Sequence, residues 1–181
     1  MNYDDLSVKK RIMFIKDEDY YYLTYHILVV LDYFGCYNID NLFRDYRKLS
    51  YLVYFLSSDK NTEMFQKAFN SDNEKISLLN YENLLQIYTK SKFINSQIKR
   101  LLFSLNQKQF IEIVKDDRFG SVSLYMKDKD KIKEVLNNEL FQTEYKRVEK
   151  IKQSYSRLRS VKYETFVEKV FKSNGVGKWD D

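Results

Sequence analysis

The sequence has no proline, one cysteine, one histidine and four glycines among its 181 residues. Proline breaks helices because it removes a backbone donor and clashes with the preceding turn, so its absence permits long uninterrupted helices. A single cysteine, Cys36, excludes an internal disulfide bond and is typical of a reducing compartment. With one cysteine and one histidine, the chain also lacks the usual ligands of a zinc site. We therefore predict no metal.

Long apolar runs are missing as well. The longest purely aliphatic run, Ile27–Leu31, is far shorter than the roughly 20 residues that cross a bilayer. Charges interrupt every apolar run of the amino-terminal stretch MNYDDLSVKKRIMFIKDEDYYY, which is not the pattern of a signal peptide. We therefore expect a cytoplasmic protein that has no membrane partner.

Aromatic and charged residues are abundant. Aromatic residues make up 17% of the chain, and apolar residues as a whole make up 44%. This apolar share and this length are typical of a single domain, 1–181, with a hydrophobic core. Charged residues make up 31%, with a net charge of +5. A mildly basic chain is compatible with a nucleic-acid or acidic partner but does not require one.

Apolar spacing predicts a mainly α fold. The stretch DEDYYYLTYHILVVLDYFG predicts a helix over about 19–34, closed by Gly35. Further helices are expected over about 39–46, 47–56, 81–106, 130–158 and 163–173, with a candidate break near 91–93. The predicted inward stripe of the long helix is Leu84, Leu85, Tyr88, Phe93, Ile94, Ile98, Leu101, Leu102 and Leu105.

The stretch QKQFIEIVKDDRFGSVSLYMKD has a different period. Its apolar residues alternate on both sides of DDRFG, which predicts a β-hairpin near 109–126. A helical head followed by one hairpin is the arrangement of a winged-helix domain, in which the hairpin is the wing. The predicted fold is therefore mainly α with one hairpin: a winged-helix-like head over about 17–126 and a C-terminal helical extension over about 130–173.

The stretch YRKLSYLVYFLSS would then lie where a winged-helix protein carries its recognition helix. A helix that reads DNA needs exposed polar side chains that reach base edges. Only Arg47, Lys48 and Ser50 qualify, and all three are in the first turn. The rest of the helix is apolar nearly all round, which predicts burial in the core or against another protein.

The residue types that carry catalysis are scarce. His26 lies within the first apolar helix, where a core or rim histidine is expected, and Cys36 is expected to be a small core residue. No serine has the surroundings of a nucleophile elbow, and no glycine-rich phosphate loop is present. Acidic pairs such as Asp116 and Asp117 fall in the hairpin turn, where solvated acids are common. We predict that the protein is not an enzyme and uses no cofactor.

One segment is strongly basic. KRVEKIKQSYSRLRSVK has seven cations and one acid, Glu149. As a helix it would place Arg147, Lys150, Ser154 and Arg157 away from the apolar stripe, so that they could contact phosphates. A solubilising surface and a dock for an acidic partner are the alternatives. Lys115 and Arg118 of the wing could add to this predicted DNA-backbone site. Its members are Lys146, Arg147, Lys150, Lys152, Arg157, Arg159 and Lys162.

The aromatic content also exceeds what one small core needs, and aromatic side chains are common anchors of protein interfaces. A predicted partner interface comprises Tyr51, Tyr54, Phe55 and Trp179. Trp179 is the only tryptophan of the chain. It would be either a docking anchor or part of a loose tail.

The pairing of ILVVLDYFG with YRKLSYLVYFLSS, then a long helix, a hairpin and a helical end, resembles the small middle component of bacterial ABC three-component systems. These include the Lamassu-type anti-phage defence complexes. The resemblance covers most of the chain, and KLSYLVYFL carries it best. It implies a non-catalytic adaptor that joins an effector, often a nuclease, to an SMC-like ATPase and helps to couple DNA sensing to effector release.

Two functions therefore follow from the sequence. The first is an adaptor of this kind, with an auxiliary surface that contacts double-stranded DNA without sequence specificity. The alternative is a stand-alone winged-helix transcriptional regulator, dimeric through its terminal helices. The wing and the basic segment favour the regulator, whereas the aromatic surplus favours the adaptor.

Overall fold

The structure, a computed structural model, describes residues 20–70, 77–116, 120–136 and 141–177. Over these ranges the chain forms seven α-helices and one β-hairpin, so the predicted mainly α fold with one hairpin is confirmed. The elements are α1 (Tyr20–Tyr33), α2 (Arg47–Phe55), α3 (Asp59–Asn70), α4 (Leu78–Gln107), β1 (Ile111–Asp116), β2 (Ser121–Met126), α5 (Lys129–Leu136), α6 (Gln142–Ser154) and α7 (Tyr163–Val170).

Helix α1 ends within a residue of its predicted limit, and its predicted start near residue 19 lies outside the described residues. Gly35 follows it with a φ of 66°, a left-handed conformation that glycine adopts without strain. The Cys36 amide donates to the Leu31 carbonyl and the Gly35 amide donates to the Asp32 carbonyl. This pair of hydrogen bonds is a Schellman motif, which satisfies the last carbonyls of the helix. His26 is buried in the middle of α1, as predicted.

Helix α2 is buried inside this chain. It packs against α4, α3 and α7, and its ring contacts include Tyr51 with Phe171 at 5.1 Å and Phe55 with Phe65 at 5.1 Å between centroids. Lys48 and Ser50, two of the three residues suited to DNA reading, are buried too. The prediction that this helix is buried rather than built to read DNA is therefore confirmed.

Helix α4 is one uninterrupted helix, so the candidate break near residues 91–93 does not occur. Ser77 caps its start, where the Ser77 hydroxyl accepts a hydrogen bond from the Asn80 amide. Leu85 and Phe93 were predicted to point inward, but both are exposed, Phe93 by 76%. The buried stripe instead includes Ile87 and Ser91, which lie at helical spacing from the other buried residues.

The hairpin pairs β1 with β2 in antiparallel register, from Ile111 opposite Met126 to Asp116 opposite Ser121. A third segment joins it, because Phe43 and Leu124 exchange backbone hydrogen bonds of 2.8 and 3.0 Å. This extended backbone corrects the predicted helix over 39–46, of which only a 3-10 turn at Ile39–Asn41 forms. Ile39 of this turn is 64% exposed, whereas Phe43 is buried.

The C-terminal third is more divided than predicted. The expected helix over 130–158 is two helices, and α6 ends at Ser154 because Tyr155 leaves the helical conformation. The expected helix over 163–173 is α7 followed by a 3-10 turn at Lys172–Asn174. Buried side chains from head and extension form one continuous cluster. Among the residues described, no helix has both the length and the apolar character that a membrane crossing requires.

Candidate functional site

The basic segment does not form a single face. Helix α6 ends at Ser154, so Arg157, Arg159 and Lys162 lie beyond the helix, in the connection to α7. The predicted alignment of Arg157 with Arg147 and Lys150 on one helix is therefore wrong. The seven predicted cations divide into side chains that are held within the protein and side chains that reach solvent.

Arg147 is held against α3. Its side chain is 14% exposed, and its guanidinium donates to the Leu56 carbonyl at 3.1 Å and to the Asp59 carboxylate at 3.1 Å. The hydrogen bond and charge of Arg147 lower the pKa of Asp59. Gln66 of α3 donates to the Lys150 carbonyl and to the Ser154 hydroxyl. The predicted basic face of α6 thus packs on α3.

Two further cations have intramolecular roles. The Arg159 guanidinium donates to the Asn41 side chain at 2.8 Å, and the Lys152 ammonium lies 4.9 Å from the centre of the Tyr33 ring. Lys146 and Arg157 are exposed. Their side chains make no hydrogen bond or ion pair with the residues that the structure describes. These two side chains are the best placed of the seven to meet a phosphate.

The predicted aromatic interface is also divided. Tyr51 and Phe55 are 1% and 0% exposed, which corrects their assignment to a partner surface, because rings packed inside the chain cannot reach a partner. Tyr54 is half-buried and retains an outward edge. Trp179 lies outside the described residues, as does Arg118 of the predicted basic site. The interface prediction therefore keeps Tyr54 alone among the described residues.

A buried lysine joins the two ends of the fold. Lys48 is 0% exposed, and its ammonium donates to the carbonyls of Leu158 at 2.6 Å and Val161 at 2.7 Å. Burial lowers the pKa of Lys48 to about 7, opposed by the charge of Asp45. Sequence reasoning placed Lys48 only among candidate DNA contacts, because a lysine in the first turn of a helix is ordinarily solvated.

Asp45, just before α2, is a buried carboxylate in the left-handed backbone region, at a φ of 60°. Asp tolerates this region better than most residues. Arg47 satisfies both of its oxygens, with Nε at 2.8 Å and Nη2 at 2.6 Å. The same guanidinium reaches Glu164 of α7 at 3.0 Å. The charge of Arg47 is therefore already compensated within the protein.

A groove of about 670 Å³ opens between the C-terminal half of α4, the start of α2 and the hairpin. Its walls are mainly apolar, and Phe103, which is 59% exposed, stands at its side. None of the described residues that line the groove is acidic. The lining residues are Tyr46, Arg47, Lys99, Arg100, Leu102, Phe103, Ile113, Gly120, Ser121 and Val122.

Lys99 and Arg100 are exposed at this groove and make no hydrogen bond or ion pair with their side chains, as far as the chain is described. The sequence reasoning missed them, although a signal was present. Between Glu82 and Glu112 the chain has no acid and five cations. The prediction for α4 considered only its apolar, buried side, and so it left out the cations on the exposed side. The five cations are Lys90, Lys92, Lys99, Arg100 and Lys108.

The two residues with the most reactive side chains are both in the core. Cys36 is fully buried, and burial raises the pKa of its thiol to about 12, so the nucleophilic thiolate is suppressed. His26 is buried beside the rings of Tyr22 and Tyr25. Over the described ranges, no group of three or more His, Cys, Asp or Glu side chains is arranged to hold a metal ion.

Comparison of the chain with protein-family models, with curated proteins and with solved structures finds no match.

Proposed function

We propose that this chain is a non-catalytic adaptor subunit of a cytoplasmic anti-phage defence complex of the Lamassu type. In this proposal it bridges an effector, such as a nuclease, to the heads of an SMC-like ATPase. Its head corresponds to a winged-helix-like domain. The identity of these partners comes from the resemblance of the sequence, and support for a protein-binding role comes from the surface of α4.

The observation that carries the proposal is a row of exposed apolar side chains on α4. Leu78, Leu85, Phe93 and Phe103 are all exposed. At about 100° per residue their spacings of seven, eight and ten place them on one side of the helix. The opposite side of α4 packs in the core. Exposed apolar side chains that share one side of a helix are suited to pack against a partner, whereas single ones scattered over a surface are ordinary.

The experiment is a tagged pull-down after co-expression with the products of the neighbouring genes, with mass spectrometry. Wild-type protein is expected to recover a large coiled-coil ATPase and an effector. Leu85→Ser with Phe93→Ser should lower that recovery about tenfold or more, because both side chains lie in the exposed row. Ile39→Ser is the matched control, since Ile39 is similarly exposed but lies outside α4. Recovery of no neighbour would contradict the proposal.

A second candidate is the stand-alone winged-helix DNA-binding regulator. It is favoured by one observation: α4, the helix directly before the hairpin, has Lys92, Lys99 and Arg100 on its exposed side. A helix that reads DNA needs exposed basic or polar side chains. Helix α4 has them, whereas α2, the helix predicted to lie in the recognition position, is buried. This candidate predicts a dimer in the absence of neighbours and sequence-specific binding that persists at moderate salt. Weak binding without sequence preference would leave DNA contact as an auxiliary property of the adaptor.

A further inference from the structure

We infer that the groove between α4 and the hairpin binds an acidic segment of a partner protein that presents aliphatic or aromatic anchor side chains. This inference rests on the proposed function, since it names the chemistry by which one partner of the adaptor docks. Three features carry it: the apolar walls of the groove, its two uncompensated cations and the absence of acidic residues among its described lining.

The walls are suited to anchor side chains. Leu102 lines the groove from α4, and Ile113 and Val122 line it from the two strands. Phe103 leaves more than half of its surface in water beside them. The volume of about 670 Å³ lies within the range of about 300–1,000 Å³ that is typical of binding pockets. Large side chains that enter such a pocket lose water on both surfaces, which is how interface hot spots gain their affinity.

The positive charges at the groove favour a partner segment with a negative net charge. Arg47 is compensated by Asp45 and Glu164, so it adds little net attraction. Lys99 and Arg100 lack such a carboxylate among the described residues. Their free cationic groups favour an acidic segment and disfavour a basic one, because like charges brought together at an interface cost binding energy.

The chemistry of the walls favours protein over nucleic acid. A groove that binds single strands offers aromatic faces for base stacking along a continuous row of cations. Here α4 and the two strands line the groove with aliphatic side chains, namely Leu102, Ile113 and Val122. Tyr46 and Phe103 are the only aromatic residues among its described lining. Bases gain little from aliphatic walls, whereas leucine and phenylalanine side chains bury apolar area against them. The groove therefore fits acidic protein better than nucleic acid.

The test measures fluorescence anisotropy of labelled peptides with the full chain. The probe is a designed peptide in which Leu and Phe recur at helical spacing among Glu and Asp. A scrambled peptide of the same composition and a peptide with Lys in place of the acids are the comparisons. We expect the patterned acidic peptide to bind about tenfold or more tightly than either comparison, because it alone combines the anchors with the complementary charge.

Charge-reversal variants test whether the peptide binds at the groove. Lys99→Glu with Arg100→Glu should weaken the acidic peptide about tenfold or more and strengthen the Lys peptide, a charge swap that unfolding cannot produce. Lys60→Glu with Lys67→Glu is the matched control, because it makes the same change in charge at two exposed lysines of α3, outside both the groove and the predicted DNA-backbone site. It should leave peptide affinity unchanged. Equal binding of all three peptides, or equal effects of both variants, would overturn the inference.

Two further outcomes separate this inference from the proposed function. If the groove variant recovers the neighbouring proteins as well as wild type does, the groove inference is wrong and the adaptor proposal stands. If wild type recovers no neighbour but binds the acidic peptide as described, the adaptor proposal is wrong and the groove binds an acidic segment from another protein. Competition of duplex DNA for the peptide, lost in the groove variant, would assign the groove to nucleic acid and overturn the inference.

Discussion

The Lys48 ammonium lies 2.6 Å from the Leu158 carbonyl oxygen, across 110 residues of sequence. A lysine ammonium has three hydrogens, and three carbonyls surround this one, the third being Arg159 at 3.4 Å. Its position over the Phe43 ring, 4.8 Å from the centroid, adds a cation–π contact. One side chain of α2 thereby fixes the connection between α6 and α7.

The first prediction concerns that connection. Lys48→Met keeps the apolar stem but leaves the carbonyls of Leu158 and Val161 without their donor. We expect the free energy of unfolding to fall by about 1–3 kcal/mol, the usual cost of unsatisfied buried polar groups. Denaturant unfolding measures this loss. Trypsin should also cleave faster after Arg157 and Arg159, and Lys67→Met, on the exposed side of α3, serves as the control that changes neither.

The second prediction is a pH dependence. The pKa of Lys48 is about 7 in the folded protein and ordinarily 10.5. Between these values the unfolded state holds a proton that the folded state lacks, so stability rises with pH. The cost of burying the charge is complete below pH 7 and is relieved as pH rises towards 10.5.

Unfolding of wild type and Lys48→Met should therefore be compared between pH 7 and 9. The advantage of wild type is expected to grow by at most about 1.4 kcal/mol per pH unit. The pKa values of Tyr25 and Tyr145 are raised from 10, so these tyrosines stay protonated between pH 7 and 9 and do not contribute to the difference. Parallel curves would show that the three carbonyl acceptors keep Lys48 charged throughout.

A third prediction tests the burial of α2. Leu52→Asp places an unpaired carboxylate at a fully buried position and should unfold the protein or cost several kcal/mol. Phe93→Asp makes a comparable change on the exposed side of α4 and should leave the circular dichroism spectrum and melting temperature nearly unchanged. A folded Leu52→Asp protein that still assembles would contradict the packing of α2.

The fourth prediction concerns DNA. Lys146→Glu with Arg157→Glu should weaken binding to duplex DNA, because both side chains are exposed and uncompensated by the described residues. If each contacts one phosphate, the slope of log affinity against log salt should flatten by about 2. Arg147→Gln is the control, since Arg147 is already paired with Asp59. An unchanged slope in the double variant would show that this surface faces something other than phosphate.

Local patterns predicted most of the elements. Helix α1 and the hairpin follow from periods of 3.6 and 2 together with glycine signals, and α2 follows from its uniformly apolar surface. The errors arise where tertiary contacts override local preference. Phe43 pairs with Leu124 instead of continuing a helix, and Phe93 is apolar yet exposed. The spacing of apolar residues along a helix cannot by itself distinguish an apolar residue of the core from an exposed one.

The candidate site was harder to predict for a related reason. A cluster of cations in sequence says nothing about which acids the fold will bring near them. In the fold, Arg147 forms an ion pair with Asp59 of α3, and Arg159 donates a hydrogen bond to Asn41. Lys99 and Arg100 pair with no carboxylate among the described residues. The more informative signal was the stretch without acids around these two, because a chain segment that lacks acids cannot neutralise its cations locally.

The contact between Lys48 and the carbonyls after α6 also bears on synthesis of the chain. A ribosome releases α2 long before residues 158–161 exist, so the acceptors of the Lys48 ammonium are not yet available to the nascent chain. Until they emerge, α2 cannot close over Lys48 without burying an uncompensated cation. Completion of the core is thus postponed until residues 158–161 have been translated, and pairings so distant in sequence slow folding. A nascent chain of this protein is expected to remain a client of chaperones until residues 158–161 have left the ribosome.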